Sequence, residues 1–315
     1  MDTKLEKELD HLASQNKWKD IITRIELIPE AGWDLDMASR YIRALNNNWE
    51  LEKAVSVSLR YQSLGENDAL WHYRLGYAYV NLNRYEEAEK VLLRGRELAA
   101  GDNEVIGYIN ELLEQVTEDK KEKVKRAEAE ANRRAAYVPR NPNTPLFDGF
   151  DLTGFWDDSN YSLKTYVGAP ATDEMFAEAE KALGYKLPES YKWLMKKRNG
   201  GGVKRDLFRL PLAAYDEPDE IYITNIMGVD PAKEESLTGG TGTKFMIGEW
   251  GYPDIGVAVC FTPSAGHELI FLDYRKCGPD GEPEVVHIDQ EGDYRITYLA
   301  GDFESFVRGL VCEDR

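Results

Sequence analysis

Four histidines, His11, His72, His267 and His287, are the only imidazoles in the 315 residues, so acid–base or metal chemistry at neutral pH would have to gather around one of them. In the C-terminal half, Asp254, Asp273 and Asp289 could approach His267, and such a cluster could act as a base or hold a metal. The spacing matches neither use. There is no HExxH and no GxSxG, and Gly239-Gly240-Thr241-Gly242 precedes Thr243-Lys244 without the spacing of a phosphate loop. The Gly200–Gly202 run follows a predicted helix C-terminus, the wrong end of the dipole for phosphate. Cys260, Cys277 and Cys312 are odd in number and lack CxxC spacing, which argues against a disulfide framework and a cysteine-held zinc. The residues point to a chain that is not an enzyme and needs no metal or cofactor. His287 reads as a hydrogen-bonded strand residue. His267, presented by a hairpin turn, is equally open to a structural bond with its loop or a place in a binding surface.

Charge suggests what could be bound. With 57 acidic and 39 basic residues the formal net charge is −18, a field that repels nucleic acid and anionic membrane and hastens encounter with a basic partner. From Glu249 to Arg315 there are 14 acidic and 5 basic residues, half of the excess in about a fifth of the chain. That concentration is either a well-solvated surface or a binding face. No apolar run has the length of a membrane span, and the opening MDTKLEKELDHLA has no signal-peptide pattern, so the expected location is the cytoplasm.

The elements that would carry such a face fall into two halves. Residues 1–136 are predicted to be helical and repetitive. Trp18-Lys-Asp-Ile21, Leu51-Glu-Lys-Ala54 and Tyr85-Glu-Glu-Ala88 align at spacings of 33 and 34 residues, the tetratricopeptide period, and Leu75-Gly76-x-x-Tyr79 with Ala88, Leu92 and Gly95 gives the small–large alternation of interlocking helices. Such an array offers a small groove for a peptide or a partner helix. From Asn103 a long helix closes the array through Ile106, Ile109, Leu112, Leu113 and Val116, then turns charged on all sides. Residues 137–149, with Pro139, Pro142 and Pro145, are expected to be a stiff linker.

Residues 150–315 are predicted to form an α+β domain. Thr172 caps a helix that Gly184 ends, and Pro188 opens a second helix that buries Tyr191, Leu194 and Met195 before Asn199-Gly-Gly-Gly. Strands are expected over 220–226, 244–247, 255–261, 268–273 and 284–288, the last three as an antiparallel meander, followed by a helix capped by Asp302. The fold class is thus α+β overall: an all-α repeat array, then an antiparallel sheet flanked by helices.

These residues also carry a resemblance. Glu180-x-x-Leu183-Gly184-x-x-Leu187-Pro188-x-x-Tyr191 with Asn199-Gly200-Gly201, then Gly248-Glu249-Trp250-Gly251-Tyr252-Pro253-Asp254, His267, Leu272-Asp273-Tyr274 and Phe303-Glu304-x-Phe306, resemble the SUKH superfamily, the Smi/Knr-type domain. The resemblance covers about half of the chain, 150–310. It implies a protein-binding module, in bacteria often an immunity protein that neutralises a toxin, possibly a nuclease, and elsewhere a regulatory scaffold that binds endogenous partners. Combined with the charge, it makes Glu249, Trp250, Tyr252, Asp254, His267, Asp273, Glu282, Glu284 and Glu291 the candidate contacts for a basic protein toxin, with no role for nucleic acid or membrane.

Overall fold

The computed structural model describes residues 3–210 and 219–312 and divides into two compact units, Met1–Val124 and Lys125–Arg315. In the first unit, helices α1 (Thr3–Ser14) and α2 (Trp18–Glu26), α3 (Leu35–Asn47) and α4 (Leu51–Arg60), and, after the short α5 (Gln62–Gly65), α6 (Ala69–Asn81) and α7 (Tyr85–Leu98) form three helical hairpins, and α8 (Asn103–Ala136) begins against the third. The period seen in the sequence is a period of backbone geometry. The second helices start at Trp18, Leu51 and Tyr85, each preceded by one residue near φ −90°, ψ +60° (Lys17, Glu50, Arg84) and one in the left-handed region (Asn16, Trp49, Asn83, φ 55°, 60° and 56°). In each turn the pre-helix amide donates to the carbonyl five residues back: Lys17 to Leu12, Glu50 to Leu45, Arg84 to Tyr79, at 3.0, 3.0 and 2.9 Å.

A second column marks the first helices. Asp34 and Asp68 are N-caps, their carboxylates accepting from Met37 N and Trp71 N at 2.9 and 2.7 Å, and Asp102 accepts from Val105 N at 3.1 Å in the same way. Between the helices of the third hairpin, Gly76 lies where a Cβ would come within 2.4 Å of Leu92, so the close approach requires glycine.

The turn at Trp49 breaks the pattern in residue type. Asn16 and Asn83 tolerate left-handed backbone, whereas Trp49, 69% exposed, pays its strain without burying its ring. Replacing Trp49 by Asn is expected to stabilise the helical unit by about 0.5–1 kcal/mol. Urea unfolding of the two proteins checks this, and a lower midpoint for the variant would mean that the indole has a packing role.

In the second unit, the chain expected to be a linker is packed. The Arg134 guanidinium pairs with Glu130 and Glu284 and lies 4.1 Å over the Tyr298 ring, Tyr137 OH donates to Asp302 at 2.6 Å, and the buried Phe147 gives its amide to Glu304 at 2.8 Å. Aromatic and arginine anchors therefore place 137–149 inside this unit, and the division between units falls earlier, within α8.

Helix α9 (Asn160–Thr165) leads to α10 (Asp173–Leu183) and α11 (Glu189–Lys197). Thr172 caps α10 by accepting from Met175 N, and Gly184 ends it in the left-handed region, φ 84°. Glu180 explains the spacing of the motif around it: nearly buried, it accepts from Leu187 N at 3.0 Å and pairs with Lys186 and Lys192 at 3.0 and 2.8 Å, fastening the loop and α11 to α10. Burial alone would raise its pKa, but these donors overcome that and hold it below the ordinary value. Asn199 fastens the next loop, donating to Ala169 O at 2.6 Å and accepting from Val229 N at 2.8 Å.

Strands β1 (Gly201–Gly202), β2 (Leu207–Leu210), β3 (Asp219–Tyr222) and β4 (Asn225–Ile226) precede α12 (Thr243–Trp250). Strands β5 (Gly256–Phe261), β6 (Glu268–Asp273), β7 (Glu284–Asp289) and β8 (Arg295–Ala300) follow, then α13 (Phe303–Gly309), capped by Asp302, and β9 (Leu310–Val311). The main sheet runs β1-β4-β5-β6-β7-β8, antiparallel throughout, and a smaller one runs β3-β2-β9. Phe303, Phe306 and Val307 of α13 and Tyr191 of α11 are buried in the core shared with the sheet, Tyr191 OH donating to Met227 O at 2.6 Å.

The fold class is as expected, with two changes of detail. The expected strand over 244–247 is part of α12: Thr243, Met246 and the half-buried Trp250 recur at helical spacing, and Gly251 stops the helix at φ 74°. The expected strand over 220–226 is two strands in two different sheets, broken at Ile223 and Thr224.

Candidate functional site

The turn Thr262–Gly266 between β5 and β6 stands between two cavities of the C-terminal unit. The first, about 490 Å³, lies against α12 and is lined chiefly by Tyr166, Phe245, Met246, Trp250, Phe261 and Ala265. Helix α12 buries Met246 toward the core, which turns Phe245, 36% exposed, to the outer side. Glu235 sits on the wall. Burial raises its pKa, only partly offset by the Asn225 amide at 3.2 Å. The half-buried Tyr166 packs edge-on to the exposed Tyr161, ring centres 5.7 Å apart.

The second cavity, about 370 Å³, opens over β6, β7 and β8 and is lined by Tyr222, Glu268, His287, Asp289, Arg295 and Thr297 among others. His287 is 8% exposed, and its Nε2 lies 3.5 Å from Glu268 Oε2 without a hydrogen bond of good length. Asp289 is held by Arg295 at 2.8 Å and Gly292 N at 2.9 Å. The hydroxyl of Ser264, which could have served as a nucleophile beside this imidazole, accepts instead from Glu268 N at 2.7 Å and bonds Thr262. Among the described residues no group of three or more His, Cys, Asp or Glu is placed to hold a metal.

Burial pushes the His287 pKa below its ordinary 6.5, outweighing the attraction of Glu268 and Asp289. The sign follows. Above pH 6.5 the imidazole is neutral in both folded and unfolded chains, and as pH falls below that value only the unfolded chain takes up the proton, so stability is lost toward acid. With His287→Gln this share of the acid loss disappears. Urea midpoints measured from pH 7 to about 5.5 are expected to fall less steeply for the variant. Parallel slopes for the two proteins would show that the imidazole titrates alike folded and unfolded.

The candidate contacts do not form one face. Trp250, His267 and Glu291 come together: the indole and imidazole meet edge-on at 5.3 Å, His267 Nδ1 bonds Gln290 Oε1 at 3.1 Å, and Glu291 lies 3.9 Å from the same nitrogen. Gln290 and Tyr294 also donate to Trp250 O, at 3.2 and 2.5 Å, which ties α12 to the β7–β8 turn. Glu249 is exposed beside them, and Asp254 is exposed just beyond. Tyr252 is 2% exposed, donates to Gly266 O at 2.7 Å and stacks on Phe271, so it supports the turn from within. Asp273, 3% exposed, is clamped by its neighbour Arg275 through Nε at 3.0 Å and Nη2 at 2.6 Å. Glu284 is engaged by Arg134 and Lys276. Glu282 is exposed as a residue, yet burial of its carboxyl and repulsion from Asp302 raise its pKa to about 7.

Sequence reasoning missed Phe245, Tyr166 and Glu235. Phe245 was legible only with α12 assigned as a helix, because its place beside Met246 is what turns it outward. No helix of the described residues is long and apolar enough to cross a membrane.

Among curated proteins no match is found. Residues 170–309, from the approach to α10 through α13, match the SMI1 / KNR4 family (SUKH-1), and with the Glu180 fastening, the antiparallel sheet and the closing helix all in place, this part of the chain is SUKH-like.

Proposed function

We propose that the chain is a protein-binding module whose SUKH-type domain acts as an immunity protein, capturing a basic bacterial toxin over the turn Thr262–Gly266 and occluding it. Protein binding is what the family suggests, and its domains are generally non-enzymatic. The observation that carries the reading is the aromatic cavity of about 490 Å³, with Phe245 exposed and Trp250 half-buried at its edge and Glu249 and Glu291 exposed nearby. Rigid aromatics in a concave site anchor protein partners, and carboxylates around them steer a cationic one. The helical unit, with its repeated turns, is read as a tetratricopeptide-like array in a cytoplasmic protein, and the two units as independently folding domains.

The test is co-expression with the toxin domain of a secreted protein encoded beside this chain. Growth should be rescued by the intact chain and by residues 125–315, and not by a chain carrying Phe245→Ala and Trp250→Ala together. Rescue by the double variant equal to the wild type would remove the cavity from the mechanism. A regulatory scaffold is the second reading, and it is favoured by the groove of the helical unit.

A further inference from the structure

The cavity against α12 carries a charge that nothing in it balances. Asn225 of β4, fully buried, donates from Nδ2 to Glu235 Oε2 at 3.2 Å, and the two residues after Glu235 are buried, with Leu237 N donating to Gly228 O at 2.9 Å. The carboxylate is therefore fixed on the wall. Glu235 is half-buried, and among the described residues its Oε1 has no donor and no Lys, Arg or His pairs with it. Burial, and more weakly repulsion from Glu234, raise its pKa against the pull of the Asn225 amide. Lys233, two residues before it, gives its ammonium to Lys164 O at 2.6 Å. The remaining walls are chiefly aromatic, Tyr166, Phe245, Trp250 and Phe261, and no cationic side chain lines the cavity among the described residues.

Ring faces attract cations, and a guanidinium, flat and more weakly hydrated than an ammonium, can both stack on rings and bond a carboxylate. An apolar group in this cavity would cut Glu235 off from water without giving it a partner, and an anion would be repelled. We propose that the cavity receives one arginine side chain of the protein partner, its guanidinium stacked among the rings and donating to Glu235. The inference rests on capture over the turn Thr262–Gly266 and adds what the captured protein must present there, an arginine at its contact surface. It also divides the acids by role. Glu249 and Glu291, exposed, act on the approach of the partner, whereas Glu235 acts inside the cavity once contact is made, so its loss should quicken dissociation and leave association unchanged.

The test uses the full chain and end-blocked pentapeptides Gly-Gly-X-Gly-Gly in which X is arginine, lysine or citrulline, the last an uncharged replica of arginine. Calorimetry at low salt should show the arginine peptide bound about tenfold more tightly than the citrulline peptide, and more tightly than the lysine peptide. Glu235→Gln keeps an acceptor for Asn225 and should bring the ratio of arginine to citrulline close to one. Its unfolding midpoint at neutral pH should be no lower than that of the wild type, because a charge disfavoured by burial has been removed. Phe245→Ala with Trp250→Ala should weaken the arginine and citrulline peptides alike. Equal binding of those two peptides by the wild type, or a preference that survives Glu235→Gln, would overturn the proposal, and so would a lysine peptide bound as tightly as the arginine one or no binding of the arginine peptide. The rescue assay keeps this outcome apart from the reading beneath it. If the double aromatic variant loses rescue and the arginine preference is missing, capture at the cavity stands and arginine falls; if the preference is present and needs Glu235 while the double variant still rescues, the cavity takes arginine and the toxin reading falls.

Discussion

Gly256→Ala is expected to unfold the C-terminal unit while leaving the helical unit folded. Gly256 opens β5 opposite Asp273, with φ 156°, and a Cβ there would lie 1.9 Å from the carbonyl oxygen of Leu272 and 2.9 Å from the Tyr274 ring. The obstacle is backbone, which cannot rotate away, so the added methyl must push β5 off β6. What would be lost is the start of the central pairing of the sheet, where Val257 and Leu272 are fully buried partners, together with the amide of Tyr274 that donates to Ile255 O at 2.9 Å. Strained backbone, lost ladder bonds and an opened core acting together place the cost at about 4 kcal/mol or more, in the tail of single substitutions. Gly248→Ala in α12 is the control: nothing lies within 4 Å of its Cβ, and the change should stabilise by about 0.5–1 kcal/mol. Hydrogen exchange read by peptide mass spectrometry separates the two units, and protection should vanish over 256–300 and persist over 3–116. A loss below about 1 kcal/mol would mean that β5 can shift without breaking its pairing, and loss of protection in both units would sink the proposal that they fold independently.

The contrast between the two units shows what this sequence exposes and what it hides. Local rules read well: the Thr172 and Asp302 caps, the left-handed Gly184, and the meander of β5, β6 and β7 follow from short stretches of residue types. The repeat was legible through its apolar column, Ile21, Ala54 and Ala88, while the equally regular caps Asp34, Asp68 and Asp102 were a stronger signal left unused. Residues 244–247 misled because four residues of Lys, Phe, Met and Ile fit a strand and a helix alike, and only the flanking Gly242 and Gly251 decide. The acidic surface misled differently. A count of charges cannot tell a free carboxylate from one already held, and Asp273, Glu284 and Asp289 are held by Arg275, by Arg134 with Lys276, and by Arg295. Those pairings join residues distant in the chain, or depend on burial, and neither is written in composition.

That distinction decides which charges should steer a basic partner. Reversing Glu284 would break its ion pairs with Arg134 and Lys276 and confound association with stability, so the informative set is Glu249, Asp254 and Glu291, all exposed. With all three changed to Lys, association with a basic toxin is expected to slow about tenfold at low salt, and the midpoint temperature should stay nearly unchanged. Raising ionic strength toward about 0.15 M, where charges are screened beyond about 8 Å, should bring wild type and variant together. Phe245→Ala and Trp250→Ala should act on the other rate. Each removes an aromatic wall of the same cavity, so the encounter is unchanged and dissociation is expected to quicken by ten- to a hundredfold, about 1.4–2.7 kcal/mol. Trp250 carries a further consequence, because its backbone carbonyl is held by Gln290 and Tyr294 whatever its side chain, so the turn should keep its place in the variant. Stopped-flow association at several salt concentrations, followed by dissociation in excess unlabelled partner, reads the two rates separately. If the triple reversal and the salt series leave association untouched while the aromatic variants still shorten the lifetime, the acids serve solvation alone and the cavity binds by shape. If the aromatic variants also change nothing, recognition by this domain does not pass through the turn Thr262–Gly266.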